Sequence, residues 1–145
     1  MKRKRGDGGS AMVELALTLP LLLLLLFGAG DFGRIFHDGI GLANAAYAGA
    51  VYGVQSMGTV NDTAGITQAA KNDAPELKGM TVTVKKYCSC ADGTTVKCVT
   101  GTCTDGSKIR TYLKVTTQET FKAIVSNPGI PTPVVLSKAV IMRAQ

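Results

Sequence analysis

The sequence predicts an α+β protein, in which one long hydrophobic N-terminal helix is followed by a short second helix and a small antiparallel β-sheet. Three observations lead there. Ser10–Gly30, SAMVELALTLPLLLLLLFGAG, carries a single charged residue, Glu14, and as a helix it spans roughly 30 Å, about the thickness of a bilayer's hydrocarbon core. Phe32–Met57 keeps a helical spacing of small and apolar residues. From Met80 onward the apolar residues alternate, which is the period of a half-buried strand. The chain of 145 residues therefore divides into a basic leader over 1–9, a helix over 10–57 that is transmembrane over about 11–30, and a small extracytoplasmic β-rich domain over 58–145 with a disulfide loop at 88–103.

Composition narrows the function classes. Lys2, Arg3, Lys4 and Arg5, offset by Asp7, supply half of the net charge of +6. The remainder is mildly basic without an arginine-rich stripe, and tryptophan is absent, so nucleic acid is not an expected partner. No nucleophile–base pair, phosphate-binding glycine loop or carboxylate dyad stands out, so neither an enzyme nor a cofactor is expected. The residues after Gly30 suffice for one modest core, which would gain from staples.

Four basic residues precede the apolar run and Arg34 alone follows closely. The positive-inside rule then leaves the N-terminus in the cytoplasm and the chain after about residue 31 outside. Three fates are open to this N-terminus: an uncut anchor, a secretory signal cut near Gly28-Ala29-Gly30, or cleavage on the cytoplasmic side after Gly9 that leaves the apolar helix in place. Glu14 bears on the choice. A carboxylate inside an apolar span costs on the order of 2.5–3.5 kcal/mol at a helix centre and less near its end, and a secretory signal has no use for one. Cleavage after Gly9 makes Ser10 the first residue and Glu14 the fifth.

Gly9-Ser10-Ala11-Met12-Val13-Glu14 resembles the cleavage motif of type IV prepilins, a glycine followed by a glutamate at the fifth mature position. Val13–Arg34, VELALTLPLLLLLLFGAGDFGR, resembles more narrowly the TadE-like minor pseudopilins of the tight-adherence (Flp-type) pilus system, which have a Val-Glu-Phe-Ala-Leu start, a proline in the apolar run and a Gly-Arg shortly after it. The chain departs at Leu15, where the family favours an aromatic. NAAYAGAVYG resembles the family's Ala/Gly-rich block, without the arginine often found there, and Ala139–Arg143 resembles its closing strand. The resemblance implies a pilin-like helix, cleavage by a prepilin peptidase between Gly9 and Ser10, and a pairing of Glu14 with the new α-amino group of a neighbouring subunit. In low dielectric such a pair offsets the burial cost of both charges and fixes register. The unpartnered alternative is a glutamate that snorkels to the headgroups.

Pro20 removes an amide hydrogen from the span and crowds the carbonyl of Ala16; membrane helices tolerate this, often with a kink. Farther on, Gly41, Ala45, Gly49 and Gly53 recur every four residues, and Ala43, Ala46 and Ala50 widen the stripe. Such a stripe admits a close neighbour: either another subunit's helix or the protein's own sheet. Tyr47, Val51 and Val54 point elsewhere and are available to pack on the globular part. His37, beside Asp38, is the sole histidine and is assigned no chemistry. Gly58-Thr59 is the expected end of the long helix. Asn61 or Asp62 then caps a short helix over about Thr63–Asn72.

Thr81–Tyr87 alternates with Val82 and Val84 on one face, and Lys108–Gln118 does so with Ile109, Leu113 and Val115. Pro128, Pro131 and Pro133 precede a last strand, about Val134–Arg143, and a shorter strand is expected near Thr94–Val99. These make a meander of three or four strands with the helix on one face. Cys88, Cys90, Cys98 and Cys103 lie close together behind an export-type N-terminus, which favours structural disulfides. Cys88–Cys103 with Cys90–Cys98 is the expected nested ladder; Cys88–Cys98 with Cys90–Cys103 is the interlaced alternative. A four-cysteine zinc site is disfavoured by the tight C-x-C spacing.

The expectation is thus a membrane-anchored, non-enzymatic assembly protein of the bacterial inner membrane. Its implied partners are a prepilin peptidase, other pilin-like subunits, an inner-membrane assembly platform and membrane lipid. The competing classes are a secreted disulfide-stabilised binding domain and a metal-binding membrane protein.

Overall fold

A computed structural model describes residues 8–124 and 133–144. Lys2–Arg5, Pro128 and Pro131 lie outside the described residues. The architecture is α+β: helix α1 (Gly8–Gly53), a single 3-10 turn (Thr59–Asn61), helix α2 (Thr63–Asp73), and strands β1 (Thr81–Ser89), β2 (Thr95–Val96), β3 (Arg110–Phe121) and β4 (Val134–Arg143).

Helix α1 runs for 46 residues without a break at Pro20, a rise of about 69 Å. It ends at Gly53, short of the expected Met57. The physical reason lies just beyond it: the Thr59 hydroxyl sits 3.2 Å from the Gly53 carbonyl and 2.9 Å from that of Ser56. Thr59 thereby satisfies helix-terminal acceptors that another turn would otherwise have taken. Asp62 caps α2, accepting from the Gly65 amide at 2.9 Å, and the Tyr52 hydroxyl donates to the other Asp62 carboxylate oxygen at 2.9 Å. These bonds, the Gly65 amide foremost, hold the Asp62 carboxyl below its ordinary range, while the same contact pushes the Tyr52 hydroxyl up.

The sheet is antiparallel in the order β2-β1-β3-β4. β1, β3 and β4 form the expected meander, with Val84 opposite Val115 and Val115 opposite Val140. β2 is not its fourth consecutive member. It folds back on the other side of β1 and pairs with Cys88 and Ser89 alone. Both helices cover one face. Leu42, Ala45, Ala70, Ala74, Leu77 and Met80 form one buried cluster, and Ala50, Ile66, Leu113 and Val115 form the other. β3 runs antiparallel to the outer half of α1. Arg34 stacks on Phe121 near one end of this contact and Gly53 meets Leu113 at the other. Helical rise from Arg34 to Gly53 is about 28 Å and strand length from Phe121 to Leu113 about 27 Å, so helix and strand stay matched along the contact. Between them the Thr117 hydroxyl, fully buried, donates to the Leu42 carbonyl at 2.8 Å.

The cysteines are joined Cys88–Cys98 and Cys90–Cys103. This corrects the nested expectation, and the hairpin register gives the reason. Cys88 opposes Val96, so continuation of that ladder sets Cys98 diagonal to Cys88 and four positions from the partner of Cys90. A diagonal neighbour is within reach of a side chain. Cys90, at the mouth of the turn, is left to meet Cys103 in the following loop.

Candidate functional site

The candidate site is α1 itself, beginning where its sequence motif begins. Gly9, Ser10 and Glu14 lie in its first turns, all exposed. Ser10 and Glu14 are four residues apart and therefore share a face. From Met12 to Phe27 every large apolar side chain is open to the surroundings, with Met12 at 77% and Leu26 at 66% exposure. Among the described residues this is one helix long and apolar enough to cross a membrane. Glu14 has no ion pair among them. The Thr18 hydroxyl donates to the backbone carbonyl of Glu14 at 2.9 Å, a local bond that returns a polar side chain to the helix within an apolar span.

The small-residue stripe has a different setting. Gly41 faces Leu77 and Glu76, Ala45 is fully buried, Gly49 lies against the Ile66 carbonyl and Ala70, and Gly53 abuts Leu113 and Ile66. Gly41, Ala45, Gly49 and Gly53 are therefore covered by α2, the turn after it and β3 of the same chain. Of the two neighbours the stripe could admit, another subunit's helix or the protein's own fold, these contacts are with the protein's own fold. The sheet alternative was nearer, although α2 supplies most of the contact. Tyr47, expected to be available for the globular part, is instead 58% exposed. It lies with Phe32, Phe36 and Ile40 on the side of α1 away from the sheet, where Phe32 and Phe36 meet edge to face at 4.7 Å.

Sequence reading missed the junction between span and domain. Asp31, 13% exposed, accepts the Ile124 amide at 3.0 and 3.2 Å and pairs with Arg34 at 3.1 Å. The Arg34 guanidinium lies 5.0 Å from the centre of the Phe121 ring. The charged side chains that end the apolar run thus fasten it to β3. Gly-Arg in the sequence signals the end of the span, but nothing nearby names Phe121.

Also missed was Glu119, where burial pushes the carboxyl above its ordinary range. A hydrogen bond from the Gly79 amide opposes the shift, and the carboxylates of Asp38 and Glu76 add to it. Its Oε2 has no hydrogen-bond partner among the described residues. His37 stands exposed, 3.6 Å from the Asp38 carboxylate. Cys90 and Cys103 lie with Asp105 close enough to suggest a metal site. Their sulfurs are joined to each other, however, and a disulfide offers no thiolate ligand.

Comparison with known proteins agrees with the helix. No curated protein and no solved structure matches the chain. The family model of the TadE-like protein matches residues 9–51. That span holds the glycine–glutamate motif, the apolar run and most of the helical surface that seats the domain, and over these residues the chain is similar to the TadE-like family.

Proposed function

We propose that this chain is a minor pseudopilin that helps to initiate or cap a tight-adherence type pilus. The carrying observation is that α1 presents an exposed, membrane-length apolar surface whose one carboxylate, Glu14, stands one turn from Ser10. The chain is held in the inner membrane with its N-terminus inside and its domain outside. A prepilin peptidase cuts between Gly9 and Ser10. The helix then leaves the bilayer by packing against other pilin-like helices over the assembly platform, and Glu14 takes the α-amine of a neighbour as its partner. The two charges sit on one face, so neighbours displaced by about one turn bring amine and carboxylate together. The domain contributes no catalytic step. Release by ordinary signal peptidase would discard the first half of a helix that otherwise runs unbroken into the domain.

N-terminal sequencing and intact mass of the protein from membranes of its own host provide the test. A start at Ser10 is expected. A start near Asp31 would overturn the assignment in favour of a secreted domain, and an intact Met1 would remove the peptidase from it. Glu14→Gln is expected to leave membrane insertion unchanged and to reduce incorporation into pili at least about tenfold, the equivalent of losing roughly 1.4 kcal/mol of pairing. Incorporation at the unaltered level would sink the charge pair.

A further inference from the structure

The sheet face turned away from the helices carries a cluster of positive charge that pilus assembly through α1 does not use. Leu113, Val115 and Thr117 point into the core, so Arg110, Tyr112 and Lys114 point outward by alternation. The register places Lys85 directly opposite Lys114, Tyr87 opposite Tyr112, and Tyr112 opposite Arg143. The two tyrosine rings stack with centroids 5.5 Å apart and an interplanar angle of 16°. Four cations thus surround one aromatic pair. Their rows are about 7 Å apart along the strands and their strands about 5 Å apart across the sheet. Ile141, beside Lys114 and 52% exposed, adds an apolar strip.

This arrangement costs stability. Like charges directly opposite on neighbouring strands repel, and none of the four cations has a salt bridge among the described residues. The outward positions of β1, β3 and β4 include no Asp or Glu. Asp105, in the loop before β3, feels the Arg110 charge, but it balances one cation of four. A solvated face has no need of such a pattern, since threonine or glutamine would serve there as well. An anionic ligand would compensate it.

We propose that this outer face binds an acidic polysaccharide. Charge complementarity calls for a polyanion. The patch lies at the Leu113 end of the sheet, level with Gly53, and helical rise places Gly53 about 33 Å beyond Asp31. That is several Debye lengths from the headgroups of the anchoring membrane. The tyrosine rings stack on one another rather than standing apart to receive bases, which disfavours single-stranded nucleic acid. A chain of uronate or sulfated sugars carries its charges at a spacing of a few ångströms, and its C–H faces suit the outer tyrosine face and Ile141. The outside location rests on the proposed topology, whereas binding by the purified chain does not, so the two can fail separately.

The experiment uses the full chain in neutral detergent, titrated with polygalacturonate at low and moderate salt. Saturable binding that weakens with salt is expected. The double variant Lys85→Gln/Lys114→Gln should bind at least about tenfold more weakly, with thermal stability unchanged or raised because the facing charges are gone. A control of equal charge loss, Lys71→Gln/Lys78→Gln on α2 and the turn after it, should bind as the unaltered chain does. Equal binding by the Lys85/Lys114 variant, equal loss in the control, or equally tight binding of single-stranded DNA or of phosphatidylglycerol vesicles would each overturn the proposal.

Discussion

At the residue scale the informative positions are those whose local chemistry runs against their surroundings. Glu119 is a carboxylate on the core-facing side of β3, with one oxygen unpartnered among the described residues and its pKa pushed up first by burial. A raised carboxyl pKa means that the folded state binds more protons than the unfolded state between the two pKa values. Stability is then full below the unfolded value and falls as pH rises through the folded one. Glu119→Gln removes the ionisable group and keeps the shape. Thermal unfolding in neutral detergent should show the variant more stable than the parent at pH 7 and nearly equal to it at pH 4. A variant less stable at both would mean that the carboxylate is held by a bond the glutamine cannot make. Asp62 runs the opposite way: its lowered pKa contributes stability above the unfolded value that is lost as pH falls through the folded one.

At the element scale the close approach of α1 to its neighbours depends on residues that lack side chains. A Cβ on Gly53 would collide with Leu113 Cδ2 and press on Ile66, whereas one on Gly33 would meet nothing. Gly53→Ala should therefore destabilise the domain by about 1–3 kcal/mol, the usual range for overpacking, despite alanine's better helix propensity. Gly33→Ala is the matched control, and a thermal melt that shifts equally for both would place the effect in propensity. These same positions mark how far the sequence could be read. The period-four run of Gly41, Ala45, Gly49 and Gly53 announces a close neighbour, but any smooth surface satisfies it, so α2 could not be told from another subunit. Strand periods located β1 and β3 because their core faces are largely apolar, whereas β4 was placed by the prolines before it. Thr117 escaped notice because its hydroxyl is satisfied by the distant Leu42 carbonyl. The disulfide pairing turned on the register of β2, Thr95–Val96, which is too short to carry a period. The Gly9–Glu14 spacing can be seen in the sequence because it lies along one helix and involves no tertiary partner; its part in processing and pairing belongs to the proposed function.

At the scale of the whole molecule, one helix serves both as apolar anchor and as backing for the sheet, so anything that acts on the anchor is transmitted to the domain. The deepest contacts, Leu42 with Thr117 and Gly53 with Leu113, lie well beyond the span. Between them and the span, the last residues of β3 and the first of β4 would be a cantilever without Asp31 and Arg34. Asp31 receives the Ile124 amide, and Arg34 joins Asp31 to the Phe121 ring. A hydrogen bond to a charged group contributes about 1.5–3 kcal/mol and an exposed cation–π contact about 0.5–1 kcal/mol. That is enough to hold a strand end but not to decide global folding. Asp31→Ala/Arg34→Ala should therefore leave the melting temperature nearly unchanged and loosen this end alone. Spin labels at Phe32→Cys and Val135→Cys, both exposed positions, should give a narrow distance distribution in the parent and a broader one in the variant. Labels at Tyr47→Cys and Ile141→Cys, toward the far end, should give the same distribution in both. If the near pair stays narrow, the sheet end is held by the core contacts alone and the two charges serve only to end the span. If the far pair broadens as well, the contact beside the membrane sets the seating of the whole domain on its helix.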